Sequence, residues 1–311
     1  MARPLNRKPG SRHDVFTPDR IETYTVGADS PKTLMAFLLE AMPDRKRTTV
    51  KELLAHDQVA VGRLPVRQFD APLSEGDTVR VNLVRPFAVF HNRRLRMVYE
   101  DDDIIVVEKG YGLLSMGTDK VKEGTAYSIL REYVKWSDPR NKIFIVHRLD
   151  RDTSGLMMFA KNAEAKETMQ HNWNNMVLDR TYVCVVEGYL DKPEGTVKSW
   201  LNENSRHEVY STPEPESVDS KLAVTRYRTI ASGHGYTLLE VSLDTGRKNQ
   251  IRVHMHDLGH PIAGDRRYGA RTSPIHRLAL HARTLRFAHP MTRQEMNFST
   301  PIPSSFLSMV K

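Results

Sequence analysis

The spacing of apolar positions along the chain changes several times, and the changes outline its elements. Leu34, Phe37, Leu38 and Met42 recur at helical spacing after Pro31, predicting a helix over residues 31–41 with Pro31 in its first turn. A basic turn, Asp44-Arg45-Lys46-Arg47, follows, and then a second short helix over 49–55. Short apolar runs predict strands at 58–61 and 78–84, the latter introduced by a Glu75-Gly76-Asp77 turn. Beyond residue 99 the pattern predicts a strand at 103–108, helices at 126–134 and 163–174, and alternating strands at 181–186, 223–229 and 237–243. A short helix over 250–257 is stopped by Gly259 and Pro261. Residues 211–220, with two prolines and several acids, read as a solvent loop. Many strands interrupted by single helices predict an α+β fold, not a doubly wound one. The expected architecture is a mixed, largely antiparallel sheet with flanking helices, plus a small N-terminal α/β module. The boundaries are a flexible basic tail at 1–19, the small module at 20–85, a linker at 86–98 and the larger domain at 99–311.

Two further apolar runs, Ile143-Phe144-Ile145-Val146 and Leu156-Met157-Met158-Phe159, read as buried strands. Between them lies His147-Arg148-Leu149-Asp150-Arg151-Asp152-Thr153-Ser154-Gly155. Charges held close to a core must be paired or solvated. A charged loop in this position is therefore a candidate active site, with Asp150 as its reactive group. A free aspartate titrates near pH 3.9, and near a core it stays ionised only beside a cation or several donors. Arg148 and Arg151 alternate with Asp150 and need not face it, so the partner must come from elsewhere.

The segment Thr245-Gly246-Arg247-Lys248-Asn249-Gln250-Ile251-Arg252-Val253-His254 can supply it. Ile251, Met255 and Leu258 share the core face of the expected helix, while Asn249, Arg252 and His256 share another. Arg252 can reach into a pocket and grip a carboxylate in bidentate fashion. Alternatively, Arg247, Lys248 and Arg252 bind phosphate at a helix start; the two readings are compatible. Tyr182, on an expected strand, is either a core residue or a platform for a nucleobase.

Charge sharpens the picture. The net charge is +8, and residues 1–100 carry 17 Lys and Arg against 12 Asp and Glu. A basic balance of this size points to a polyanionic partner. One cysteine, Cys184, excludes an internal disulfide framework and cysteine-rich metal sites, and its strand position reads as core. No apolar run approaches the ~18 residues needed to span a bilayer, and the polar N-terminus lacks a signal-peptide core. The expectation is a soluble, cytoplasmic protein. Thirteen histidines invite a metal reading, but His254 and His256 point apart on a helix and no His-Glu-x-x-His occurs. Asp101-Asp102-Asp103 reads as the solvated start of a strand rather than a magnesium site. Thr153-Ser154-Gly155 is no nucleophile elbow, because Asp152 stands where glycine is needed.

Taken together, the loop at 147–155, Arg180-Thr181-Tyr182 and the segment at 245–254 resemble the signatures of the RluA-type pseudouridine synthases. So do Gly259-His260-Pro261-Ile262-Ala263-Gly264-Asp265, Arg277-Leu278-Ala279-Leu280-His281-Ala282 and Phe287-Ala288-His289-Pro290. The resemblance runs from about residue 98 to the C-terminus, with its motifs in the family's order. Val50–Val61, together with Ser74–Val81, resembles the RNA-binding module first described in the fourth small-subunit ribosomal protein. The resemblance implies an RNA uridine-to-pseudouridine isomerase that needs neither cofactor nor metal. Asp150 is then the catalytic aspartate, Tyr182 the aromatic on the target base, and Arg252 the arginine paired with the aspartate. Arg148, Arg151, Arg247 and Lys248, with Arg45, Lys46, Arg47 and Lys51 of the small module, are the expected RNA contacts. Large-subunit ribosomal RNA is the implied substrate, with transfer RNA as the alternative. The implied state is a monomer without an obligate protein partner or membrane attachment. The rival reading is a non-catalytic RNA-binding protein that kept the fold; a metal-dependent phosphohydrolase is disfavoured by the absent ligand spacing. The chain departs from the family in carrying Asn249 where histidine is usual and Lys109-Gly110 where Lys-Pro is usual.

Overall fold

The computed structural model describes residues 19–62 and 64–311. Nearly all of the basic tail expected at 1–19 lies outside the described residues. The chain divides into two compact units, one comprising residues up to 89 with 135–140, the other 90–134 with 141–311.

The first unit contains β1 (Ile21–Thr25), α1 (Leu34–Ala41), α2 (Arg47–Ala55), β2 (Val59–Val61), β3 (Leu64–Pro65) and β4 (Thr78–Asn82). Its antiparallel strands run in the order β1-β4-β2-β3. Leu34, Leu38, Val50 and Leu54 from the helices pack with Val59, Val79 and Val81 from the strands. Pro31 stands outside α1, which starts at Leu34 with Thr33 as its N-cap, a correction to the expected first turn.

The second unit begins with β5 (Leu95–Glu100), β6 (Ile104–Lys109), α3 (Ala126–Ser137, whose last three residues group with the first unit), β7 (Phe144–Ile145) and β8 (Ser154–Ala160). It continues through α4 (Ala163–His171), α5 (Trp173–Met176), β9 (Val177–Glu187), β10 (Glu194–Glu203), β11 (Val209–Thr212), β12 (Lys221–Gly233) and β13 (Tyr236–Leu243). It ends with α6 (Gln250–Asp257), β14 (Leu280–Ala288), β15 (Glu295–Ser299) and α7 (Ser304–Leu307). The sheet order is β11-β10-β12-β13-β9-β14-β8-β6-β5, with β15 on β14 and β7 on β8. Among the described residues every strand pairing is antiparallel except β8 with β14. The fold is thus the α+β class that the pattern predicts.

Two segments differ from expectation. Residues 86–98, read as a linker, include the start of β5. Leu95 is buried there and pairs with Lys109, and the basic run before it hid an edge strand. The expected solvent loop at 211–220 begins inside β11 and ends at buried Ser220, which donates to Asn202. Among the described residues no helix is long and apolar enough to cross a membrane.

The register of the sheet positions the site. Lys109, Gly155, Ala282, Tyr182 and Val241 lie in one row across β6, β8, β14, β9 and β13. Directly opposite residues project to the same face of a sheet. Lys109 and Tyr182 therefore share a face with the loop that precedes Gly155.

Candidate active site

The Asp150 loop joins β7 to β8 and is pinned at several points. Leu149 is buried, and its backbone N–H and C=O both bond to the Ser115 hydroxyl, at 3.1 and 2.6 Å. Lys109 has no exposed surface, and its Nζ donates to the carbonyls of Gly110, Leu113 and Arg151 at 3.0, 2.8 and 3.0 Å. His147 Nε2 accepts the Met158 N–H, so this ring is neutral, and burial pushes its pKa down to about 3. Gly155 closes the loop with φ +116°, and a Cβ there would lie 2.1 Å from the Ala282 carbonyl oxygen. Glycine is needed because β14 passes too close for any side chain. A loop held at these points presents Asp150 in one position.

Arg252 projects from the first turn of α6. Its Nε and Nη2 donate to the two Asp265 carboxylate oxygens at 2.7 and 2.8 Å, and its Nη1 donates to Asn249 Oδ1 at 2.9 Å. Nη1 also lies 3.8 Å from Asp150 Oδ2. The bidentate grip expected on Asp150 is therefore made on Asp265, and Asp150 meets the arginine through a single longer ion pair. Burial raises the Asp150 pKa above the usual carboxylate range, while Arg252, Arg148 and Lys109 pull it back without reversing the rise. Arg252 therefore meets Asp150, as expected, but with two of its three nitrogens already engaged by Asp265. Burial likewise raises the pKa of Tyr182.

Asp150, Tyr182 and Arg252 line one cavity of about 190 Å³, with Arg148, Arg247 and Lys248 around it. That is smaller than the ~300–1,000 Å³ of pockets enclosing drug-sized ligands, so it can enclose only part of a ligand of that size. Arg247 Nε donates to the Leu222 carbonyl, and Lys248 pairs with Glu203 at 2.7 Å. Arg151 does not line this cavity and pairs with its neighbour Asp152. Lys46, Arg47 and Lys51 are exposed around the start of α2, whereas Arg45 is half-buried.

A family model described as RNA pseudouridylate synthase matches residues 103–257. A Bacillus subtilis (strain 168) protein named uncharacterized RNA pseudouridine synthase YlyB is 33% identical over 282 residues, covering 88% of this chain and 92% of that one. The chain belongs to the RNA pseudouridine synthase family. Ribosomal large subunit pseudouridine synthase D of Escherichia coli O157:H7 is 33% identical over 292 residues, covering 88% of each chain. The structure of human RNA pseudouridylate synthase domain containing 4 shares the fold, with TM-score 0.56 and 23% identity over 69% of this chain and 91% of that one. As a pseudouridine synthase the protein is an isomerase, and the rival of a non-catalytic RNA binder is not favoured.

Several residues that shape this synthase's cavity were not read from the sequence. Asp265 and Tyr268 flank Arg252, with the guanidinium carbon 4.8 Å from the Tyr268 ring centre. Gly264-Asp265 stood inside a recognised motif, but a pairing across a loop leaves no periodic trace. Lys109 stands in the sequence as a charge after the apolar run Ile104-Ile105-Val106-Val107 and as the lysine of Lys109-Gly110, and neither shows that it is buried beneath the loop. Of the histidines, His281 is buried between the Ser154 and Thr300 hydroxyls, and His254 bonds to those of Ser199 and Thr225. Asp101, Asp103 and His289 bring possible metal-ligand atoms together. Asp101 already accepts the N–H groups of Asp103 and Ile104 and bonds to His289, and Asp103 accepts from Asn162. Cys184 is buried in the core, which raises its thiol pKa.

Proposed function

We propose that this synthase isomerises uridine in large-subunit ribosomal RNA, with Asp150 as the reacting carboxylate. Tyr182 packs on the target uracil, and Arg252 faces Asp150. The observation that carries this reading is the meeting of these three side chains in one cavity rimmed by basic residues. The substrate class rests on the printed name of the Escherichia coli relative. In the same reading residues 20–85 are an RNA-binding module of the ribosomal-protein type, with Arg45, Lys46, Arg47 and Lys51 toward phosphates. Residues 99–311 form the catalytic domain, and the protein works in the cytoplasm.

The chemistry balances without any atom gained or lost overall. The bond between the sugar C1′ and N1 of uracil breaks, the base turns, and C1′ bonds to C5. The C5 proton leaves and N1 gains one. Asp150 either adds covalently or takes a sugar proton, and both routes need its ionised form beside the extruded nucleotide. Extrusion costs a few kcal/mol, and phosphate contacts by Arg148, Arg247 and Lys248 offset it.

The test is tritium release from large-subunit ribosomal RNA labelled at uridine C5. Wild type releases tritium, and Asp150→Asn releases none while still binding the RNA. Equal release by the variant would remove Asp150 from its role. Mapping pseudouridines in RNA from cells lacking the protein identifies the target, and a loss confined to transfer RNA would overturn the substrate assignment.

A further inference from the structure

Three side chains converge on the Arg252 guanidinium, Asp265 and Tyr268 from outside the cavity and Asn249 from its wall. Asp265 is 2% exposed and takes both Nε and Nη2. Its position follows from Gly264, at φ +82°, where a Cβ would lie 2.2 Å from the Arg277 carbonyl oxygen. Tyr268 lies under the guanidinium and is itself fixed in an apolar cluster with Leu201, Val209, Ala223 and Val253. Asn249, 8% exposed, bridges the two: its Oδ1 accepts from Arg252 Nη1, and its Nδ2 donates to the Tyr268 hydroxyl at 3.1 Å. Asn249 starts α6 with φ +56°, a left-handed conformation that asparagine, aspartate and histidine adopt more readily than other non-glycine residues. The family match ends at residue 257, before Asp265 and Tyr268.

We infer that Asn249, Asp265 and Tyr268 are positioning residues, a cradle that aims Nη1 of Arg252 at Asp150. The inference deepens the proposed function and rests on its assignment of Asp150. Without the cradle the guanidinium keeps its charge but loses its direction. Asp265 holds one edge, Tyr268 one face and Asn249 the nitrogen nearest Asp150. An amide at 249 does this without titrating. Histidine there fits the same backbone and makes the same kind of contacts when neutral, but becomes a second cation beside Arg252 in acid.

The experiment compares Asn249→Gly, Asn249→His, Asp265→Asn and Asp150→Asn in the full chain, by tritium release from large-subunit ribosomal RNA labelled at uridine C5. Glycine keeps the left-handed backbone and removes both side-chain bonds. Asn249→Gly is expected to lower kcat on the order of 100-fold, the scale of a 1 Å misplacement, at unchanged KM. The acid limb of its pH profile is expected to move to higher pH, because Asp150 loses part of the cation that opposes its protonation. The groups facing Asp150 are Arg252 on α6, Arg148 in its own loop, Lys109 on β6, Tyr182 on β9 and Asp265 beyond α6; only the first is displaced. Asn249→His is expected to restore turnover at pH 8 and to lose it in acid. Asp265→Asn should lower kcat as Asn249→Gly does, but with a smaller movement of the limb, because removing the Asp265 charge itself lowers the Asp150 pKa. If Asp265→Asn fails to fold, the two Asn249 variants still decide the matter. A wild-type profile for Asn249→Gly, or a fall in kcat with the limb unmoved, would overturn the cradle while Asp150→Asn stays inactive. An active Asp150→Asn would instead overturn the proposed function beneath it.

Discussion

Gly155 and Tyr182 both pair with Ala282, from opposite sides of β14. Adjacent strands are about 4.8 Å apart, so the residue closing the Asp150 loop and the cavity's tyrosine are held roughly 10 Å apart by backbone pairing alone. A substitution at Gly155 therefore acts on the site through the sheet. Gly155→Ala sets a methyl carbon against the Ala282 carbonyl at a positive φ. It should cost about 3 kcal/mol or more of stability, read as a lower urea midpoint, with loss of tritium release.

Asp150→Asn should be more stable than wild type. Burial raises the Asp150 pKa in the folded chain above its unfolded value. The folded state then binds the extra proton, so ionisation of Asp150 costs stability as pH rises through the folded pKa. The amide removes that cost. Thermal melting at pH 7 should show a higher Tm for Asp150→Asn, and a lower Tm would contradict the raised pKa.

Acid should weaken the fold before carboxylates titrate. His147 and His281 are held neutral, with pKa values near 3 and about 4, by burial. In the unfolded chain each protonates near pH 6.5. Their contribution is complete above pH 6.5 and is lost as pH falls, by about 1.4 kcal/mol per unit for each. Denaturation midpoints between pH 7 and 5 measure the slope, and His281→Gln should flatten it.

Arg252→Lys retains the charge but not the fork that spans Asp265. Turnover should fall by about 100-fold, while RNA affinity changes little. An unchanged kcat would show that charge alone suffices.

Neutralising Arg45, Lys46, Arg47 and Lys51 to glutamine should weaken RNA binding and flatten its salt dependence. Each lost phosphate contact removes about 0.7–0.9 from the logarithmic salt slope. A slope equal to wild type would mean that these residues do not touch RNA.

Much of the site was legible because it is local. Helix α6 occupies the residues that apolar spacing assigned to it, and the charged loop between two apolar runs is where Asp150 stands. What was illegible depends on partners distant in the chain. Strand β14 was missed because His281, Arg283 and Arg286 interrupt its apolar pattern, although the strand is central and largely buried. Strand β10 was missed because much of its length is exposed or half-buried. The sequence pairs Arg252 with Asp150, because nothing local marks Asp265 as the bidentate partner that the turn at Gly264 makes it.

The parallel pairing of β8 with β14 has a consequence for how the enzyme is made. The loop carrying Asp150 precedes β8, yet the strand that shapes it emerges more than a hundred residues later. Contacts this distant in sequence form slowly, and chains grow at about 5–20 residues per second. The nascent polypeptide thus carries Asp150 for several seconds before the groove around it exists.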